Sequence, residues 1–167
     1  MNKFLLSVFF SGLSFQVFAA CYEGSLAEFR ASMLDRHNSL RAVHQVLPLT
    51  LTPELNRVAQ QFAEKLARSD GFHHSGGRYG ENLYKAWGMK PDGVLPTQTW
   101  YDEIKLYDFD NPGFSPKVGH FTQLVWATTT KLGVGVACGA DGSVTVVANY
   151  DPPGNVRGQF VGNVLRP

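Results

Sequence analysis

Four residues, His74, Glu81, Glu103 and His120, carry the side chains best suited to chemistry in this chain. A neutral imidazole can ligate a metal or move a proton near neutral pH, and a carboxylate can ligate, act as a base or orient an imidazole. Their spacing matches no compact signature. There is no HExxH helix and no GxSxG elbow, and Ser75 is the immediate neighbour of His74, an awkward arrangement for a nucleophile and its base. Taken singly, His74 is a loop histidine, Glu81 a solvated loop carboxylate, Glu103 a partly buried acid and His120 a residue at a helix start. They become a site only if the fold gathers them.

The elements that would do so are readable in outline. From Leu26 to His44, Leu26, Phe29, Met33 and Leu40 recur on one helical face together with His37 and His44. Thr52-Pro53-Glu54 then supplies an N-cap, a proline at the first helical position and an acid in the first turn. Leu55, Val58, Ala59, Phe62, Ala63, Leu66 and Ala67 repeat at helical spacing until Ser69-Asp70-Gly71, the strongest helical signal in the chain. Gly71 to Gly80 is glycine-rich loop, and residues 90–96 form a looser connection. A third helix is expected from about Pro96 to Tyr107, with Glu103 on the same face as Trp100, Ile104 and Tyr107. A short helix follows near His120 to Thr128.

Residues 133–139 and 143–150 alternate in polarity around Asp141-Gly142 and read as a β-hairpin. Val134, Val136 and Cys138 fall on one face of its first strand. Glycines and Ala137 fall on the other, which places that face close under a packed helix. Helices early and a hairpin late favour an α+β layered single domain over a parallel βαβ fold.

Residues 1–19 read as a secretory signal peptide: Lys3, an apolar core from Phe4 to Phe10, and a small-residue exit at Val17 to Ala20. Residues 20–167 would then form one domain, exported and soluble. The chain has 15 Lys+Arg and 14 Asp+Glu, a balance that excludes an electrostatic case for nucleic acid or for strong attraction to anionic membranes. The two cysteines, Cys21 and Cys138, can form one bridge in an oxidising compartment, worth on the order of 4 kcal/mol for so long a loop. Two free thiols fit the sequence equally well.

Five segments together carry a family resemblance. GHFTQLVW at 119–126, continuing through Ala127, Thr128 and Thr129, and VVANYDPPGNV at 146–156 resemble the two signature motifs of the CAP family. That family groups cysteine-rich secretory proteins, insect venom antigens and plant pathogenesis-related 1 proteins. HNSLR at 37–41, HSGGRYGENL at 74–83 and WYDEIKLYDF at 100–109 extend the match in family order over nearly the whole mature chain. GVGVACGADGSVTVV and the ending GNVLRP resemble the branch that contains the Golgi-associated plant pathogenesis-related protein, which lacks the family's dense disulfides.

The resemblance implies an α-β-α sandwich whose central cleft is lined by two histidines and two glutamates, falling here on His74, Glu81, Glu103 and His120. It implies zinc or another divalent cation on His74 and His120, with Glu81 and Glu103 nearby or bridged by water and orienting the imidazoles. Acidification should then release the metal as the histidines protonate. Ala148 replaces a cysteine of other members, leaving Cys21 as the one candidate partner for Cys138. His37 and His44 are expected in the core, and His73 as an exposed bystander.

Three functions follow from the resemblance. The first is a secreted, non-catalytic protein, periplasmic in a Gram-negative cell, that binds a sterol, fatty acid or other lipid. A protein receptor and a homodimer are further partners of that reading, although no exposed apolar seam is legible. Trp87, Trp100, Tyr101, Tyr107, Phe109, Phe114 and Trp126 would supply an apolar groove or the core, and residues 86–96 a gate. The second is a metal-assisted or serine hydrolase with Glu81 or Glu103 as catalytic base. The third is a precursor whose cleavage after Asp151 releases residues 152–167.

Overall fold

A computed structural model describes residues 21–69 and 71–167; the signal segment read at residues 1–19 lies outside the described residues. The elements run α1 (Leu26–Val43), β1 (Thr50–Leu51), α2 (Pro53–Ala67), β2 (Gly80–Trp87), α3 (Val94–Tyr101), a 3-10 turn (Asp102–Leu106), α4 (Gly119–Leu124), β3 (Lys131–Cys138), β4 (Ser143–Asp151) and α5 (Phe160–Asn163). The strands form one sheet in the order β1-β3-β4-β2, with β1 parallel to β3 and the other pairs antiparallel.

The helix starts are set by local chemistry. Ser25 and Glu28 close a reciprocal capping box at α1, and the Thr52 hydroxyl accepts from Leu55 N ahead of Pro53 at α2. Ala59, Ala63 and Leu66 of α2 cover one face of the sheet, meeting Leu83 and Val147. Phe29, Met33 and Leu40 of α1, Trp100 of α3 and Phe121 of α4 cover the other, over Val134, Val146 and Tyr150. The result is the expected α-β-α sandwich.

The glycine face of β3 does lie under a helix. A Cβ built on Gly133 or Gly135 would fall 2.3–2.4 Å from the backbone of Leu55 or Ala59, so glycine lets α2 rest on the strand itself. β1 pairs only with Lys131 and Leu132, and helix side chains satisfy the Val134 and Val136 groups beyond it, Arg30 Nε of α1 donating to Val134 O at 2.9 Å. Asn56 Oδ1 accepts from Val134 N at 2.8 Å, and Gln60 both accepts from Val136 N and donates to Val136 O.

Arg41 is fully buried and spends its guanidinium on backbone carbonyls of Leu47, Leu124, Trp126 and Thr129 at 2.9–3.0 Å. It ties α1 to the chain leaving α4. His37 and His44 are buried as expected. Met33 O can only accept, so His37 Nδ1 carries the proton and its Nε2 accepts from the Tyr150 hydroxyl at 2.8 Å. His44 likewise donates to Leu165 O and accepts from Tyr101.

Several expectations need correction. Residues 80–87 form a full strand, paired with β4 from Gly80↔Tyr150 to Trp87↔Ser143. The gate drawn at residues 86–96 shrinks to 88–93, because its ends belong to β2 and α3. The third helix tightens to 3-10 at Asp102, and α4 stops at Leu124. Of the two readings left open for the cysteines, the bridge is the one present: Cys21 and Cys138 are joined, with Cα atoms 5.6 Å apart. Trp100, Tyr107 and Trp126 are core, whereas Trp87 and Phe114 are exposed.

Candidate functional site

The fold brings all four residues of the tetrad to one end of the sandwich, as two imidazole–carboxylate pairs. His74 lies in the loop before β2, and Glu81 is the second residue of that strand. Glu81 Oε1 accepts from His74 Nδ1 at 2.8 Å and from Ser75 N at 2.9 Å. Its side chain is only 6% exposed, and Oε2 is buried with no partner among the described residues.

The second pair joins the 3-10 turn to α4. Glu103 Oε1 accepts from His120 Nδ1 at 2.6 Å, while Oε2 accepts from His120 N and Phe121 N at 3.0 and 3.1 Å. One carboxylate thus orients the imidazole and satisfies two amides at the start of a helix whose own N-cap residue, Val118, offers no side-chain bond. Glu103 lies in the 3-10 turn that continues α3, its side chain 20% exposed. Trp100 backs His120, their rings 6.3 Å apart and 18° from parallel.

Both histidines therefore donate from Nδ1 to a carboxylate and keep Nε2 as the free ring nitrogen. His74, Glu81 and His120 line a cleft of about 380 Å³ floored by Asn82 and Gln123. Among the described residues no group of three or more His, Cys, Asp or Glu is arranged to hold a metal. The donor set is two imidazoles oriented by carboxylates, which suits a weakly held divalent ion completed by solvent and does not suit a closed four-ligand zinc centre. Ser75 does not couple to His74: its hydroxyl accepts from Gly77 N. His73 is exposed and bonds the backbone of His74.

Three positioning residues escaped the sequence reading. Asn82 Nδ2 donates to His120 O at 3.0 Å and to the Tyr150 hydroxyl at 3.1 Å, so the cleft is tied to His37 through Tyr150. Gln123 accepts from Gly154 N at 2.8 Å, and Asn155 accepts from Thr122 Oγ1 and donates to Gly119 O. Asn82 and Asn155 lie within the motifs quoted above, but their partners are distant backbone groups that no local spacing reveals. A second cleft, about 560 Å³ and lined by Phe114, Arg157, Phe160 and Val161, shares Phe114 and Asn155 with the first.

Comparison with known proteins places this geometry in a family. Residues 34–150 match the family model described as CAP, Cysteine-rich secretory protein family. The human Golgi-associated plant pathogenesis-related protein 1 is 46% identical over 147 residues, covering 84% of this chain and 94% of that protein. Secreted protein RBT4 of Candida albicans is 40% identical over 84% of this chain, which spans 41% of that relative's length. Among solved structures, NaASP2 with Zn2+ superposes with a TM-score of 0.65 at 26% identity, covering 80% of this chain and 84% of that one. The tetrad, the motif-bearing tail around α4 and the three layers accompany that match, and the chain belongs to the CAP, or cysteine-rich secretory protein, family.

Proposed function

We propose that this chain is a secreted CAP-domain protein that binds a sterol, fatty acid or similar lipid without turning it over. The observation that carries this reading is the adjacency of the two clefts, which share Phe114 and Asn155 as walls. Phe114 and Val161 are 59% and 75% exposed at the larger one, an apolar surface next to a polar cleft, which suits a ligand with an apolar body and one polar end. Export is supported by the Cys21–Cys138 bridge, which belongs to an oxidising compartment, and by the name of the Candida relative. Among the described residues no helix is long and apolar enough to cross a membrane.

Equilibrium binding of a labelled sterol and a labelled fatty acid to the mature chain tests the proposal. Saturable binding that persists, though weaker, in His74→Ala/His120→Ala and falls about tenfold in Phe114→Asp supports it. No saturable binding of either probe to the wild type removes it.

His74 and His120 are proposed to hold a divalent ion such as zinc through Nε2; when bound it would supply local positive charge for a ligand's polar end. Glu81 and Glu103 keep the imidazoles in the Nδ1–H form. Titration with zinc alone should detect one site in the wild type and none in His74→Ala/His120→Ala. The hydrolytic reading is disfavoured at Glu103, whose Oε2 is filled by two amides and whose Oε1 is turned onto His120 Nδ1. Glu81 Oε2 is the remaining candidate base, and metal-dependent ester turnover lost in Glu81→Gln would restore that reading.

A further inference from the structure

The three tryptophans of this chain are not equivalent: Trp100 and Trp126 are 2% and 0% exposed, and Trp87 is 57% exposed. A single exposed apolar side chain needs no explanation by itself. Trp87, however, is fixed in place. Its Nε1 donates to Asp141 Oδ2 at 3.0 Å, and Lys85 Nζ lies 5.2 Å from the ring centroid. Asp141 is anchored in turn, its Oδ1 accepting from Ser143 N in the β3–β4 turn. The indole is thus presented in one orientation at low entropic cost on binding.

The ring forms one wall of a pocket of about 370 Å³, completed by Phe72, Ser69, Lys85 and Asp141. Phe72 is 49% exposed, giving the pocket a second aromatic surface. Trp87 lies six positions along β2 from Glu81, roughly 20 Å of strand, so this pocket is distinct from the His/Glu cleft.

Its polar groups retain capacity. Lys85 Nζ is 4.0 Å from Asp141 Oδ2, beyond hydrogen-bond reach, so that contact consumes no ammonium proton. Each Asp141 oxygen, with one N–H donor, keeps a lone pair. The Ser69 hydroxyl donates to the carbonyls of Leu66 and Gly71 and can still accept.

These features select the chemistry of an occupant. Among the described lining residues Lys85 and Asp141 cancel in charge, so together they draw in neither an anion nor a cation. An acyl chain would cover the unused ammonium protons of Lys85 and the free lone pairs of Asp141 without satisfying them. A pyranose ring fits both demands: its C–H face packs on the indole, and its hydroxyls donate to Asp141 and accept from Lys85. We propose that Phe72, Lys85, Trp87 and Asp141 form a carbohydrate site for a neutral pyranose of a glycan chain, by which the exported protein attaches to a polysaccharide surface.

Trp87 is the exposed indole, so tryptophan emission reads the site directly. The full mature chain is titrated with neutral β-1,4-linked hexasaccharides of glucose, N-acetylglucosamine and mannose, and separately with phosphatidylcholine vesicles. The expected result is a saturable emission change with at least one hexasaccharide. By calorimetry, affinity for it should fall about tenfold in Trp87→Ala, less in Trp87→Phe, and remain unchanged in His74→Ala/His120→Ala. Because Trp87 is at the surface, circular dichroism should show both Trp87 variants folded. No saturable change with any of the three sugars overturns the proposal, as does wild-type affinity in Trp87→Ala. A response to vesicles alone would assign the indole to a lipid surface and overturn it equally.

Discussion

Glu103 accepts from one imidazole and two amides, so an NH2 group in place of one oxygen either faces the two amides or makes His120 give up its Nδ1 proton. Glu103→Gln should therefore lower stability by about 1–3 kcal/mol, read as a shift in the urea midpoint, and weaken the zinc binding proposed above by releasing His120. At the buried His37, desolvation is the main cause that pushes the imidazole down from 6.5 to about 4. The unfolded chain then binds more protons than the folded one between those values. Stability should be fully present above about pH 6.5 and fall toward pH 4, by up to roughly 1.4 kcal/mol per pH unit from this group. Desolvation lowers His44 in the same direction. Urea midpoints at pH 7, 6, 5 and 4.5 check the slope. The tetrad was legible at this scale because its members lie inside recognisable motifs. The way each carboxylate divides between imidazole and amide was not, since the Glu103–His120 contact spans 17 residues and depends on a 3-10 turn.

The helix α2 and the glycines of β3 act together as one element pair. Gly135→Ala would place a methyl 2.4 Å from the Ala59 carbonyl and Gln60 N, and backbone cannot yield as a flexible side chain can. It should destabilise by about 1–3 kcal/mol, measured as a lowered thermal midpoint, with the secondary structure retained below it. The sequence announced this pair clearly, through an uninterrupted apolar stripe on α2 and small residues on alternate positions of the hairpin. β2 was hidden for a physical reason. GENLYKAW mixes a glutamate held by His74, an asparagine spent on the core and a lysine with a mostly buried stem, so polarity does not alternate although burial is real. Short α5 and two-residue β1 carry too few residues for any periodicity to show.

At the scale of the whole molecule, one covalent link and one returning tail close the domain. The Cys21–Cys138 bridge spans 117 residues, and Cys21→Ser/Cys138→Ser should lose about 4 kcal/mol, seen equally on adding reductant to the wild type. Sequence composition allowed this bridge but could not decide it, because pairing depends on where β3 passes the start of α1. The tail after Asp151 is part of the fold: Phe160 packs edge-on to Trp126 at 5.0 Å, and Asn163 accepts from Thr128. Cutting there would take Phe160 and Val164 out of the core, which weighs against residues 152–167 as a readily released peptide. The line from His37 through Tyr150 and Asn82 to His120 has a spectroscopic consequence. The Tyr150 hydroxyl proton is shut between an imidazole and an amide, away from solvent, and should exchange slowly enough to give its own downfield resonance in a proton spectrum. Its chemical shift would then move when an ion loads His120, reporting occupancy of the cleft from inside the sandwich.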